Sequence, residues 1–207
     1  MKLWHNRHPG GTNSRGESLV ENTPPKGAME KNDDSLAIAA RSNPRAFACL
    51  YRRYVTRIYR YLFSRTGNPH DAEDLTAQVF TAAWEGLRRY RARGNFAAWL
   101  FSIVRNKAND HFRRHRSHLP LDQVVHRLFT NPDLLGRVAH DEDLNHLAEV
   151  MAELDQNELE LLRLRYAADL TYGEMTDLLG RSEGALKMAM SRLLARLRAD
   201  WKERHEG

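Results

Sequence analysis

Arg88, Arg89, Arg91 and Arg93 surround Tyr90 in the stretch RRYRARGN, with Phe96 and Trp99 close behind. Guanidinium groups track phosphates. Exposed aromatic faces stack on unpaired bases at about 1–3 kcal/mol each, so this spacing suits single-stranded nucleic acid or bases flipped from a duplex. Trp84 and Trp99 lie on apolar stripes and read as core, which leaves Tyr90 and the loop arginines, joined by Asn95, as candidates. Farther on, Arg105, Asn109, Arg113 and Arg116 share one helical stripe able to lie along a duplex.

A second basic constellation closes the chain, in GALKMAMSRLLARLR. On a helical wheel Leu186, Ala189, Met190, Leu193 and Leu197 cluster, opposite Gly184, Lys187, Met188, Ser191, Arg192, Ala195 and Arg198. A helix that docks through a leucine face and enters a major groove with the other needs this arrangement. Lysine and arginine reach guanine edges or phosphates there, and a methionine can touch a thymine methyl. Arg181, Ser182 and Glu183, at the start of this helix, complete the candidate set. The alternative is a helical hairpin that binds a partner protein, its basic residues serving only to keep it in solution.

Other chemistry is scarce. His111 and His115 sit four apart on a helix, a spacing that can hold a metal. They lack a third ligand at fitting spacing and lie among arginines that repel a cation, so they read as surface histidines and no metal or cofactor is expected. A Gly-rich phosphate loop, paired carboxylates in an apolar setting and a nucleophile with its base are all missing, which argues against an enzyme. The single cysteine, Cys49, excludes an internal disulfide, lies on an apolar stripe as a structural thiol, and fits a reducing cytoplasm. No apolar run approaches the roughly 20 residues that span a bilayer, and no signal-peptide core opens the chain.

The charge is blocked along the 207 residues. Gly86 to His118 holds nine Lys or Arg against Asp110 alone, whereas Leu119 to Glu160 holds ten acids against two arginines. Such blocks direct particular surfaces toward a polyanion.

The elements that must carry these residues are helices. Residues 1–30 have no period and read as a disordered extension, with Met29 a possible true start. Asn43 and Pro44 cap a helix whose stripe runs Phe47, Leu50, Tyr51, Tyr54, Val55, Ile58 and Leu62, ended by Gly67. A second helix, from near Asp71, buries Leu75, Val79, Phe80, Ala83, Trp84 and Leu87 and shows Asp74, Gln78, Thr81 and Glu85 outward. A third, from near Asn95, buries Phe96, Trp99, Leu100, Ile103, Val104 and Phe112. Residues 117–143 lose the period and read as a linker. From Leu144 a second module follows. Asp155 with Glu158 and Thr171 with Glu174 form capping boxes, Gly180 turns the chain, and Ser182 caps the last helix. The fold class is therefore all-α: two small helical domains, 31–116 and 144–203, joined by a flexible linker, the second holding a helix-turn-helix.

These stretches together, above all DAEDLTAQVF and FAAWLFSIVRN in this order before the helix-turn-helix, resemble the small extracytoplasmic-function group of bacterial sigma factors over residues 36 to 201. The resemblance implies a division of labour. Residues 31–116 would bind core RNA polymerase and the promoter's −10 element, and 144–203 the −35 element and the polymerase flap, with the linker threading toward the active-site cleft. By the same resemblance Asp71, Asp74, Gln78, Thr81 and Glu85 would dock polymerase, the arginine-rich loop would capture an unpaired −10 base, and the last helix would read −35. Members are commonly held by an anti-sigma partner. Two positions depart from the family: Ala189 stands where a basic residue is common, and Thr176 where a small one is usual. Two other readings stay open, a regulator that binds duplex operator without polymerase and an adaptor with no DNA contact.

Overall fold

A computed structural model describes residues 26–92, 94–115, 151 and 153–206, all helices and their connections. The expected linker and the first residues of the second module lie outside the described residues, as do Arg93 and Arg116.

Helix α1, Lys26–Ala39, begins within the stretch expected to lack structure, so Lys26 to Glu30 are helical after all. It is held by tertiary contacts that local sequence does not announce: Ala37 and Ala40 are fully buried, and Asp33 takes a hydrogen bond from the Tyr54 hydroxyl at 2.7 Å and an ion pair from Arg53. Helix α2, Pro44–Thr66, starts as expected, with Asn43 accepting from Arg45 N at 3.0 Å, and stops at Gly67 in the left-handed region. Helix α3, Pro69–Gly86, begins earlier than Asp71, because Asn68 caps it and Pro69 supplies the first turn. Helix α4, Phe96–His115, is capped by Asn95, whose Oδ1 accepts from Ala98 N at 3.0 Å.

These four helices share one core. Tyr54, Ile58, Tyr61 and Leu62 from α2 meet Leu75 and Val79 from α3 and Leu100, Phe101 and Val104 from α4. Each such side chain contributes about 1.5–3 kcal/mol by leaving water. Trp84, expected in this core, does not join it. It is 42% exposed, resting edge-on against Phe47 with centroids 4.8 Å apart instead of entering the core. Tyr51 is likewise exposed over Phe80, and Cys49 is half-buried.

In the second module α5, Gln156–Leu162, opens on the Asp155–Glu158 capping box and runs into one wide π-turn, Arg163–Ala167. Such turns are rare and occur mostly as single turns set into α-helices. The chain then reverses at Asp169, a non-glycine residue at φ 48°. Helix α6, Tyr172–Leu179, opens on the Thr171–Glu174 box. Gly180, at φ 63°, makes the turn into α7, Glu183–Glu206. A side chain at Gly180 would be strained in that conformation, which is why the hinge falls there. Leu186, Met190 and Leu193 are buried as the wheel required, with Ala189 and Leu197 half-buried beside them.

The two modules do not stand apart: α6 packs on α4, and the π-turn packs on α2.

Candidate nucleic-acid interface

The loop between α3 and α4 carries the arginines. Arg88, Arg89 and Arg91 are exposed. Tyr90 is not, at 4% exposure, and this overturns the premise that its face is free to stack on a base. Its ring packs on Phe96 at 5.5 Å and Trp99 at 4.8 Å, and its hydroxyl donates to Asp34. Burial, and then the Asp34 carboxylate as acceptor, push this phenol well above its ordinary pKa, so it stays a donor.

What holds the loop comes from the α1 end of the module. Asp34 also accepts from Gly94 N at 2.6 Å; Arg41 donates to Leu87 O at 3.2 Å and to Tyr90 O. Neither residue stood out in the sequence, since an acid in a helix and an arginine after it carry no local signature of a contact so far along the chain. Both position the arginines. Asp34→Ala removes two charge-assisted hydrogen bonds, worth about 1.5 kcal/mol or more each. The expected result is a loss of about tenfold in affinity for single-stranded nucleic acid, together with a fall of the Tyr90 pKa seen by ultraviolet titration.

Along α4, Asn109 and Arg113 are exposed, Arg113 pairing with Asp110 at 3.1 Å. Asn95 and Arg105 face the second module. Between them, Arg89, Arg91, Trp99, Asn109 and Arg181 line an open cleft of about 1090 Å³. His111 meets Asp71 at 3.6 Å, and among the described residues no metal-binding group forms.

On α3, Asp74, Gln78, Thr81 and Glu85 form one exposed face, with Asp71 half-buried at its start. Exposed Trp84 adjoins it.

On α7, Ser182 accepts from Ala185 N at 3.2 Å, fixing the first turn. Glu183, Lys187, Met188, Ser191 and Arg192 are exposed, Met188 by 57%. Lys187 pairs with Glu183 at 2.6 Å and lies 5.9 Å over the Tyr172 ring. Such an exposed pair is worth little and yields readily to DNA. Ala189 is half-buried and lines a smaller cleft with Arg181 and Arg192. Thr176 is accommodated by donating to Gly173 O at 2.7 Å.

Two exposed basic surfaces, one on a loop over an aromatic cluster and one on a helix-turn-helix, define a bipartite nucleic-acid binder. Residues 50–118 match the family model for Sigma-70 region 2, and residues 150–199 that for Sigma-70 region 4. Over 152 residues, 72% of this chain and 91% of the relative, it is 32% identical to the ECF RNA polymerase sigma factor SigM of Bacillus subtilis (strain 168). It is 32% identical over 164 residues to BldN of Streptomyces coelicolor, 61% of whose length is covered. CnrH, solved in complex with the cytosolic domain of CnrY, superposes with TM-score 0.58 at 27% identity, covering 81% of this chain and 95% of that one. RpoE of Bartonella quintana, solved with the anti-sigma factor NepR, shares the fold at TM-score 0.51 and 19% identity, over 75% of this chain and 96% of its own. The chain belongs to the ECF group of RNA polymerase sigma factors. It acts with RNA polymerase in promoter-specific initiation of transcription, which disfavours an operator-binding regulator that works without polymerase. Among the described residues, no helix is long and apolar enough to cross a membrane.

Proposed function

We propose that the two modules divide the promoter between them. The α3 face of Asp71, Asp74, Gln78, Thr81 and Glu85 docks on core RNA polymerase. Arg88, Arg89 and Arg91, with Asn95, Arg105, Asn109 and Arg113 along α4, take the unpaired −10 strand. Arg93 belongs to the same loop in sequence. The observation that carries this reading is that the loop arginines are exposed while the Tyr90 ring beneath them is locked by Asp34. The basic groups are thereby presented on a rigid base, as preorganised binding requires. Trp99, half-buried beside them, is the aromatic face left to meet a base, since Tyr90 is buried.

The outward face of α7, with Arg181, Ser182 and Glu183 at its start and Lys187, Met188, Ser191 and Arg192 beyond, reads the −35 duplex. The protein performs no catalysis of its own and works in the cytoplasm. An anti-sigma factor is a further partner, a reading supported by RpoE having been solved with the anti-sigma factor NepR and CnrH with the cytosolic domain of CnrY. Purified protein added to core polymerase is expected to start transcription at a promoter carrying both elements. Scrambling the −10 element should abolish it. Transcription that survived the scramble would contradict the reading.

A further inference from the structure

Of the large apolar side chains in the described residues, Met188 is the most exposed, at 57%. Met190, two positions on along the same helix, is 1% exposed and fills the core of its module. One methionine is used by the fold and the other is left largely in water.

The outward face of α7 gives Met188 no apolar company. Gly184, one turn before it, has no side chain, and a Cβ there would meet nothing within 4 Å. Ser191, Arg192 and Ala195, which follow on the same face, are exposed. Lys187 is drawn aside, its Nζ 2.6 Å from Glu183 and 5.9 Å over the Tyr172 ring. Arg192 forms no ion pair among the described residues, and the Glu158 carboxylate in the cleft beside it is taken by Arg196 at 2.7 Å. A docking site for a protein would set such a methionine in a wider apolar patch. A lone apolar side chain among small and basic ones fits the major groove, where the thymine methyl is the apolar feature of the base edges.

We infer that Met188 and Arg192 select neighbouring base pairs of the −35 element, Met188 covering a thymine methyl and Arg192 taking the O6 and N7 acceptors of a guanine. The inference rests on the reading of α7 given above and adds which bases the helix selects. The two residues stand one turn apart, about 6 Å along the helix axis. Base pairs follow one another at about 3.4 Å. With α7 lying along the groove, the thymine falls one or two steps from the guanine, on either strand. The thioether chain is flexible and polarisable, so it moulds to a methyl group. Open space over Gly184 lets the first turn of α7 come close to the bases, within reach of Met188.

The test uses holoenzyme made with full-length protein and a pool of promoters that share one −10 element and are randomised across −35. Sequencing of the transcribed templates is expected to return a guanine with a thymine one or two steps away. Uracil, which lacks only the methyl group, then replaces that thymine in the most active promoter. Wild-type holoenzyme should lose about fourfold in transcription, the worth of one buried methyl group. Holoenzyme with Met188→Ala should start from a lower level and treat thymine and uracil alike. Met188→Leu, which keeps the apolar bulk, should retain most of the discrimination. Discrimination that persisted in Met188→Ala would overturn the assignment, because another group would then hold the methyl. Selection that returned no such thymine, or wild-type transcription indifferent to uracil, would overturn the inference and leave α7 as the −35 reader. A pool returned with no −35 preference at all would overturn both.

Discussion

Replacing Arg89 and Arg91 together by alanine is expected to reduce promoter opening by about 100-fold while changing affinity for core polymerase less than about twofold. Both guanidiniums are exposed on a loop whose backbone is held from below by Arg41, Asp34 and the Tyr90–Trp99–Phe96 cluster. Removing them leaves that support intact, so the loss falls on contacts to DNA. Each charged contact to a phosphate or base contributes about 1.5 kcal/mol or more, near tenfold each. The α3 face proposed for docking is a separate exposed surface and should lose nothing. Permanganate reactivity of −10 thymines reads the result. Open complexes that persisted at wild-type level in the double variant would remove the loop from the −10 site.

Replacing Lys187 and Arg192 is expected to weaken transcription from −35-dependent promoters by about 10- to 100-fold, each base or phosphate contact being worth about 1–3 kcal/mol. Both side chains leave the outward face of α7, whose opposite side is anchored by Leu186, Met190 and Leu193. The fold should therefore tolerate the change. Where the lost contacts are to phosphates, the salt dependence of binding should flatten by about one unit in slope per contact. Promoters with a strong −10 element lose less, since polymerase keeps the second module at high effective concentration. Unchanged transcription from every promoter would remove α7 as the reader.

The local features of both modules were legible because their signals are local. Asn43 before Pro44, the Asp155–Glu158 and Thr171–Glu174 boxes, and Gly180 at φ 63° each satisfy backbone groups within a few residues. The leucine face of α7 follows from period alone. Misreadings fell where distant chain decides. Tyr90 stands among arginines and glycine and so reads as exposed; Asp34, 56 residues earlier, buries it. Trp84 lies on an apolar stripe, yet Phe47 and Phe80 fill the space beneath and leave it at the surface. The packing of α6 on α4 had no sequence signal, because Arg57, Asn95 and Arg105 look like solvated polar residues until Glu174, Asp177 and Glu160 face them.

One surface is expected to hold melted strand and the other intact groove. A cleavage reagent tethered at Ala92→Cys, or separately at Ala195→Cys, both in a Cys49→Ser background, tests it on holoenzyme bound to an end-labelled promoter. The prediction is two clusters of cuts roughly 25 base pairs apart, the first confined to unpaired −10 bases and the second to both strands of the −35 duplex. Cuts from both positions falling on a single duplex site would contradict it.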